Sequence, residues 1–370
     1  MSVTGPDAGA ARTGGGGGGR KLVSVVVPAF NEAAIIEDNL QRLCEYLATI
    51  QHQYDWEIVV VDDGSSDSTW ERARRVADLE PRIRVYRHGV NYQLGQALRF
   101  AFGQCQGDYI ITFDVDLTYS PDHIGRILEK LANTHAKVVI ASPYRPGGRV
   151  TAVPRFRRWM SRFANLYLSL ATRGLNPAGR LTTITGLVRG YDARFLRGLN
   201  LKAMGAQVNS EIIHKALVLR AHIEEIPAHL DWSHLRERPG RSSSIRVVSS
   251  LMNQLVFGFM FRPFAFFLLP ALAMFLLGAY AVFWAAVHTI EAARDTLVEV
   301  SEPTLITEIS HAVAEAYSHY PHVFLIGAIA LVLGVQLLTA GILSLQNKRY
   351  FDELFSLCTR ILRGLPTDRF

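Results

Sequence analysis

The sequence predicts an α/β domain, built on a mostly parallel sheet with flanking helices, that is followed by an interfacial helix and a two-helix transmembrane hairpin. Short β-branched runs alternate with amphipathic stretches from Lys21 to about Leu230, which is typical of strands alternating with covering helices. Two long apolar segments without charged residues come later in the chain. A chain of 370 residues with 49% hydrophobic residues is large enough for a buried core.

Five strands and six helices are predicted in the first domain. The strands are Val23–Val27, Glu57–Asp62, Ile83–Arg87, Tyr109–Asp114 and Lys137–Ser142. The helices are Glu32–Ile50, Ser68–Asp78, Leu94–Cys105, Pro121–Asn133, Arg155–Thr172 and Asn209–Arg220.

Polar clusters follow three of these strands. They are Pro28–Glu32, Asp62–Asp67 and Asp114–Asp116. In an open α/β sheet, ligands bind outside the carboxyl ends of the strands, so the three clusters are expected to form one site. The first strand is not followed by Gly-x-Gly-x-x-Gly, and no Walker sequence occurs, which argues against the common dinucleotide and P-loop sites.

The triplet Asp114-Val115-Asp116 is the strongest candidate for a metal site. It follows the apolar run Tyr109–Phe113, so two carboxylates lie at the end of a buried strand. Such a pair suits Mg²⁺ or Mn²⁺, which can also bind diphosphate oxygens. A solvated turn is the alternative for Asp-x-Asp alone, but the upstream Asp62-Asp63-Gly64-Ser65 favours the metal site.

Three motifs in order resemble those of the family 2 glycosyltransferases. They read VVVPAFNE at 25–32, VVVDDGSSDST at 59–69 and GDYIITFDVDL at 107–117. Within the family, the chain is similar to the dolichyl-phosphate mannose synthases and the bacterial polyprenyl-phosphate glycosyltransferases from about Leu22 to Trp232. The resemblance implies a GT-A fold, an inverting mechanism, a divalent cation and a GDP- or UDP-linked sugar donor.

Site residues carried over from the resemblance divide into donor and metal groups. The expected nucleoside-binding residues are Pro28, Phe30, Glu32 and either Asp62 or Asp63; Asp114 and Asp116 are expected to bind metal and diphosphate. Phe30 packing in the core is an open alternative. Ser65 and Asp67 are interpreted as turn and helix-cap residues.

A second stretch, from Ala141 to Gly186, is similar to the family's acceptor region. Arg157 and Ser161 lie one helical turn apart there, so both can face one phosphate. Contact with lipid headgroups is the other interpretation of these residues. Three features depart from the family. Thr118 replaces a common Gln, Pro143 stands where mannose synthases usually have an acceptor-binding Arg, and the 91–95 segment, NYQLG, lacks the usual Gly-Lys-Gly.

Pro263–Val287 and Val323–Leu345 are long enough to cross about 30 Å of hydrocarbon as helices. The 288–322 segment between them has six acidic residues and one arginine, whereas both outer flanks are basic. The positive-inside rule therefore predicts a hairpin with an external loop and both termini in the cytosol. Val248, Met252, Leu255 and Phe259 recur at helical spacing, which indicates a helix in the membrane interface or, alternatively, a core helix.

The chain is thus expected to have five parts: a disordered Gly-rich tail (1–20), the GT-A domain (21–232), a basic linker with the interfacial helix (233–262), the transmembrane hairpin (263–345) and a cytosolic tail (346–370). Its net charge of +6 is better explained by a membrane surface than by nucleic acid, because no nucleic-acid motif accompanies it. Three widely spaced cysteines do not form a disulfide framework.

We expect inverting, metal-dependent transfer of a sugar from a nucleotide sugar to a polyprenyl phosphate. A phosphate acceptor is already anionic, so it needs orientation and no general base. Two alternatives stay open: a glycosyltransferase acting on a hydroxyl of a glycolipid or protein, for which Glu211 is the candidate base, and an inactive nucleotide-sugar-binding scaffold. Donor turnover and acceptor choice distinguish the three.

Overall fold

The computed structural model describes residues 20–171, 176, 179–233, 263–296 and 305–362. The chain divides into two compact units, Met1–Phe261 with Leu354–Phe370, and Arg262–Glu353. The predicted interfacial helix and the first 19 residues of the predicted tail lie outside the described residues.

Among the described residues, the first unit contains nine strands and seven complete helices. The strands are β1 (Lys21–Ala29), β2 (Tyr54–Asp62), β3 (Ile83–Arg87), β4 (Tyr109–Thr112), β5 (Val138–Ser142), β6 (Arg149–Thr151), β7 (Arg189–Asp192), β8 (Ile223–Pro227) and β9 (His229–Asp231). The helices are α1 (Ile36–Ile50), α2 (Thr69–Leu79), α3 (Leu94–Gln104), α4 (Asp122–Asn133), α5 (Arg155–Ala171), α6 (Ala193–Arg197) and α7 (Val208–Val218).

Seven strands form one sheet in the order β3-β2-β1-β4-β7-β5-β8, and every pairing is parallel except those of β7. This confirms the predicted α/β class. Strand β7 escaped prediction because its sequence, Arg-Gly-Tyr-Asp, lacks a β-branched run. Gly190 in β7 is needed for packing, since a Cβ there would lie 2.2 Å from Ile127 of α4.

Each face of the sheet is covered by helices and carries its own apolar core. One core includes buried side chains of α1, α2 and α4, such as Leu43, Val76 and Ile127. The other includes side chains of α3, α6 and α7, such as Leu98, Leu196 and Ile212. Burial on both faces explains why β1, β2 and β4 are continuous apolar runs.

The second unit contains helices α8 (Pro263–Thr296), α9 (Leu305–His319) and most of α10 (Pro321–Leu362). Phe266–Arg294 and Pro321–Thr359 are long and apolar enough to cross a membrane. Both helices extend beyond the predicted spans, because neither the 288–296 nor the 346–362 segment contains a proline or glycine.

Two of the expected parts therefore differ in structure. The predicted external loop, 288–322, contains helix α9, and the predicted tail, 346–370, continues α10 to Leu362. The end of α10 belongs to the first unit. There the Lys215 ammonium of α7 lies 5.3 Å from the centre of the Phe355 ring, and Thr359 is buried.

Candidate functional site

The three polar clusters meet at one edge of the sheet, as predicted. Strand β1 pairs in parallel with β2 on one side and β4 on the other, so the carboxyl ends of all three are neighbours. The Asp63 amide donates to the Ala29 carbonyl (2.9 Å), and the Phe113 amide to the Val26 carbonyl (2.9 Å). We call Pro28–Glu32, Asp62–Asp67 and Asp114–Asp116 together the strand-end site.

Asp62 shapes the loop that follows β2. Its carboxylate is 0% exposed, accepts a hydrogen bond from the Ser65 amide (3.0 Å) and lies 3.2 Å from Arg87 Nε. Burial raises the pKa of Asp62, against the stabilising bonds from Ser65. Gly64 makes the tight turn possible, with φ of 74° and no room for a Cβ beside the Val90 backbone.

Asp63 ties the same loop to the segment after β3. Its Oδ1 lies 2.7 Å from His88 Nδ1 and accepts the Tyr92 amide at 3.1 Å. Asp63 is only 4% exposed, so in this structure its carboxylate links the loop after β2 to the segment after β3. Nucleoside binding by Asp62 or Asp63 stays a prediction.

Phe30 presents a free ring face at the strand-end site, since the residue is 45% exposed. This is the opposite of core packing. The backbone that follows Phe30 is held by Asn31, which adopts a φ of 56°, donates its amide to Ser65 Oγ (2.9 Å) and accepts the Ser66 amide at its side-chain oxygen (2.9 Å). Glu32 is buried, and its amide donates to Thr69 Oγ1 (2.8 Å).

Ser65 and Asp67 make turn contacts, as interpreted from the sequence, but the N-cap residue of α2 is Ser68, which makes no side-chain cap hydrogen bond. Asp67 accepts the Ala33 amide (3.1 Å) and the Thr69 amide (3.0 Å). These hydrogen bonds lower the pKa of Asp67 against a partial desolvation effect. Both residues therefore join the loops after β1 and β2 into one framework.

Asp114 and Asp116 are half-buried on a turn that follows β4. The turn places Leu117 at a φ of 49°, and the Thr118 amide donates to Asp116 Oδ1 (3.1 Å). Asn39 of α1 holds the turn from behind by donating to the Val115 carbonyl (2.8 Å). Burial, and then the negative charge of Asp116, raises the pKa of Asp114 to about 8.

This arrangement fits a divalent cation. Two carboxylates that disfavour each other's ionised form gain a compensating charge when a cation lies between them. Among the described residues, no group of three or more His, Cys, Asp and Glu side chains is arranged to hold a metal. Asp114 and Asp116 would therefore be the protein ligands, with substrate phosphates completing the shell, as Mg²⁺ commonly prefers.

Arg157 brings positive charge to this carboxylate pair. Its guanidinium lies 4.4 Å from the centre of the Trp232 ring. Burial lowers the pKa of Arg157, and the charge of Asp116 opposes that shift, so the two side chains interact electrostatically. Helix α5 and the segment after β9 thus approach the turn after β4.

Ser161 lies one turn further along α5 and is already hydrogen bonded. Its hydroxyl accepts the Tyr144 hydroxyl at 2.8 Å, and its carbonyl accepts Asn165 Nδ2 at 3.0 Å. The predicted acceptor role of Arg157 and Ser161 remains a prediction.

Glu211 has a structural environment. Its carboxylate accepts the amides of Lys202 (2.9 Å) and Ala203 (2.8 Å) and forms a 2.6 Å ion pair with Lys215. The carboxylate is thus engaged in joining α7 to the 202–203 backbone.

The sequence reasoning missed a cavity of about 580 Å³ beside α5. Its lining includes Arg145, Arg162 and Arg180, and we call it the three-arginine cavity. These arginines come from separate segments of the chain, so no local motif could have grouped them. Asn165, which shares the lining, was noted only as part of the stretch similar to the acceptor region.

Known proteins match the part of the chain that contains the strand-end site. The model of "Glycosyl transferase family 2" matches residues 24–195. A dolichol-phosphate mannosyltransferase from Pyrococcus furiosus is 30% identical over 52% of this chain and 52% of its own length. An undecaprenyl-phosphate 4-deoxy-4-formamido-L-arabinose transferase from Pseudomonas fluorescens is 34% identical over 40% of this chain and 42% of its own length.

The chain spans about half of the first relative's length and less of the second's. Among solved structures, glucosyl-3-phosphoglycerate synthase from Mycobacterium tuberculosis, in complex with Mn²⁺, UDP and phosphoglyceric acid, has a TM-score of 0.47 at 20% identity, covering 64% of this chain and 76% of that one. The motifs at 25–32, 59–69 and 107–117 all fall inside the matched family segment. The chain therefore carries a glycosyl transferase family 2 domain over residues 24–195.

Proposed function

We propose that this protein transfers a sugar, with inversion, from a GDP- or UDP-linked donor to a polyprenyl phosphate at the cytosolic face of a membrane. The observation that carries the proposal is the pairing of the half-buried Asp114 and Asp116 with the Arg157 charge beside them. The carboxylate pair suits a metal-bound diphosphate, and the Arg157 guanidinium suits an incoming phosphate. The names of the Pyrococcus and Pseudomonas relatives, which are transferases for dolichol phosphate and undecaprenyl phosphate, support this choice of acceptor.

The donor would lie along the strand-end site. The exposed ring of Phe30 offers a stacking face for the nucleoside, near the edge formed by Pro28, Glu32 and the loop of Asp62 and Asp63. The diphosphate would then reach Asp114 and Asp116, where a bound Mg²⁺ or Mn²⁺ supplies charge neutralisation for the departing nucleoside diphosphate.

The reaction needs no general base. An oxygen of the acceptor phosphate forms the new bond to the anomeric carbon, while the bond from that carbon to the diphosphate oxygen breaks and its electron pair leaves with the nucleoside diphosphate. A phosphate monoester is anionic at neutral pH, so the protein has to orient it rather than deprotonate it. Arg157 is the group that would align it, and the engagement of Glu211 with Lys215 agrees with chemistry that needs no carboxylate base.

A direct test uses purified full-length protein with radiolabelled GDP- and UDP-sugars, Mn²⁺ and either a short polyprenyl phosphate or a glycolipid with free hydroxyls. We expect label in the polyprenyl phosphate only, and loss of transfer with a chelator. Labelling of the glycolipid alone would refute the choice of acceptor. An absence of turnover with every donor would refute the proposed activity.

The proposed orientation, with the catalytic unit and both termini in the cytosol, needs its own test. In a Cys358→Ser background, which removes the exposed native thiol, single cysteines at Ala314 in α9 and Asn347 in α10 report on the two ends of the hairpin. An impermeant thiol reagent added outside should label Ala314→Cys only. Labelling of Asn347→Cys alone would reverse the orientation and separate the site from a cytosolic donor.

A further inference from the structure

The three-arginine cavity combines a strong positive charge with little compensation. Arg145 comes from the loop after β5, Arg162 from α5 and Arg180 from the segment before β7. Among the described residues, no carboxylate lies within ion-pair distance of these three guanidinium groups. An anion entering the cavity would therefore meet guanidinium groups that are still available, and such groups suit phosphate oxygens.

The nearest carboxylates are engaged elsewhere. The charge of Arg145 lowers the pKa values of Glu224 and Glu225, but it is a lesser cause than burial and the hydrogen bonds of those carboxylates. Glu224 forms a 2.8 Å ion pair with Lys130, and Glu225 accepts the amides of Thr182 (2.8 Å) and Thr183 (2.7 Å). Neither neutralises the cavity.

The cavity wall is organised by specific contacts. Arg180 Nε donates to Ser169 Oγ at 2.8 Å, which orients its guanidinium group. The loop that carries Arg145 curls through Gly147, at a φ of 89°, and Gly148, where a Cβ would lie 2.7 Å from the Pro143 carbonyl oxygen. Side chains other than glycine would open this loop and move Arg145 away from the others.

An apolar edge adjoins the cationic wall. Leu166 lines the cavity and is 50% exposed, and it continues a row on α5 with Phe163 and Trp159, which is 61% exposed. The rings of Trp159 and Phe163 stack at 5.9 Å. A ligand that combines a phosphate with a hydrocarbon chain matches both parts of this surface.

The cavity is also connected to the strand-end site. Tyr144 lines the cavity and donates its hydroxyl to Ser161 at 2.8 Å. Arg157, whose charge interacts with that of Asp116, lies one helical turn before Ser161 on α5. The cavity therefore adjoins the part of α5 that carries Arg157.

We propose that the three-arginine cavity is the docking site for the phosphate of the polyprenyl phosphate, whose hydrocarbon chain leaves along Leu166, Phe163 and Trp159. This inference rests on the proposed function. It adds Arg145, Arg162 and Arg180, which supply positive charge although Pro143 cannot, to Arg157 as groups that bind the acceptor phosphate, and Arg157 also aligns that phosphate beside Asp116.

The test compares Arg162→Gln and the double variant Arg145→Gln/Arg162→Gln with Arg155→Gln, an exposed arginine of the same helix outside the cavity lining. With a short polyprenyl phosphate in detergent micelles, we expect the acceptor KM to rise about tenfold in the single variant and about a hundredfold in the double variant. The kcat, the donor KM and the thermal midpoint should stay near those of the wild type. Arg162→Lys should recover part of the affinity, because it restores the charge without the planar fork.

Titration of the short polyprenyl phosphate into wild-type and double-variant protein separates this inference from the proposed function, since binding needs no turnover. Wild-type binding that the double variant loses supports the cavity assignment even if no sugar is transferred. Equal binding by both proteins overturns it.

A second arm uses phosphatidylglycerol vesicles. If the double variant loses vesicle binding but keeps its acceptor KM in micelles, the arginines recognise bulk anionic lipid, and the proposal is overturned. Vesicle binding that is unchanged, beside a raised acceptor KM, supports it.

Discussion

The strand-end site and the region around α5 are built in different ways. Backbone pairing of β1, β2 and β4 positions the strand-end site, and its distinctive side chains are acidic. The α5 region has no acidic residue in its helix and is held largely by side-chain hydrogen bonds. Asn165, for example, accepts the Ile184 amide (2.8 Å) and donates to the Ser161 carbonyl (3.0 Å).

This difference matches the two substrates that we propose. A carboxylate pair binds a cation and, through it, the donor's diphosphate, whereas guanidinium groups bind an acceptor phosphate directly. Opposite charges on the two regions would keep the two anionic substrates in separate places until they meet near Asp116 and Arg157. Substitutions in one region should therefore leave the other substrate's affinity intact.

The largest effect is expected at the carboxylate pair. Asp116→Asn removes a charged metal ligand, and we expect the rate of sugar transfer to fall by at least about 100-fold, with a similar loss on chelation. Asp78→Asn, an exposed carboxylate on α2, is the matched control and should retain wild-type activity. Steady-state transfer assays with and without Mn²⁺ measure both. Transfer that survives Asp116→Asn and chelation would exclude the metal assignment.

A smaller effect, on the other substrate, is expected at Arg157. Loss of a charge-assisted contact to phosphate costs on the order of 1.5–3 kcal/mol, which is roughly ten- to a hundredfold in affinity. Arg157→Ala should weaken the acceptor by about that factor while donor binding, measured by titration, stays nearly unchanged. Arg194→Ala, on the exposed surface of α6, is the control. Weakened donor binding together with unchanged acceptor affinity would contradict the assignment of Arg157 to the acceptor.

The pH dependence of metal binding gives the next test. Because burial and Asp116 raise the pKa of Asp114 to about 8, its proton competes with the metal below that pH. Metal affinity should therefore increase with pH, by at most about tenfold per unit between pH 6 and 8. Without metal the sign for stability is opposite: the folded protein holds this proton more tightly, so stability declines as pH rises towards 8.

Mn²⁺ titrations at pH 6, 7 and 8 measure the affinity, and thermal unfolding in chelator measures the stability. Asp114→Asn should weaken metal binding and flatten its pH dependence. Metal affinity that is independent of pH in the wild type would contradict the raised pKa.

The smallest effect is expected in the framework of the α5 region. Glu225→Gln leaves the buried amides of Thr182 and Thr183 with a weaker, neutral acceptor, and we expect the free energy of unfolding to fall by about 1–3 kcal/mol. Glu224→Gln, the same substitution on the adjacent residue, removes partly exposed contacts with Lys130 and His222 and should cost about 0–1 kcal/mol. Denaturant unfolding of the two variants compares them. Equal losses would mean that the buried bonds do not stabilise this segment.

Much of the strand-end site could be predicted because each of its clusters is continuous in sequence. A run such as Val59–Val61 predicts a buried strand, and the polar residues that follow it lie at the carboxyl end of that strand. The sequence also identified two apolar segments long enough to span a membrane. These features depend on local composition and periodicity, which the chain carries whatever its neighbours are.

Tertiary structure alone decided which polar residues are committed to the fold. From the sequence, the carboxylates of Asp63 and Glu211 were candidates for nucleoside binding and for a general base. In the fold, Asp63 contacts His88, which is distant in sequence, and Glu211 contacts Lys215, one helical turn away. It also placed the antiparallel β7 inside a parallel sheet, where its neighbours bury Tyr191 on one face and pack α4 against Gly190 on the other.

The three-arginine cavity is the clearest case of the same limit. Arg145, Arg162 and Arg180 lie on a loop, a helix and a later segment, and each alone has the sequence character of an ordinary surface arginine. Their common location follows from the hydrogen bond of Tyr144, in the loop after β5, to Ser161 of α5 and from the bonds of Asn165 and Glu225 to the chain before β7. Local sequence determines strands, helices and strand-end clusters, whereas the convergence of charges from separate segments depends on long-range packing that no local pattern records.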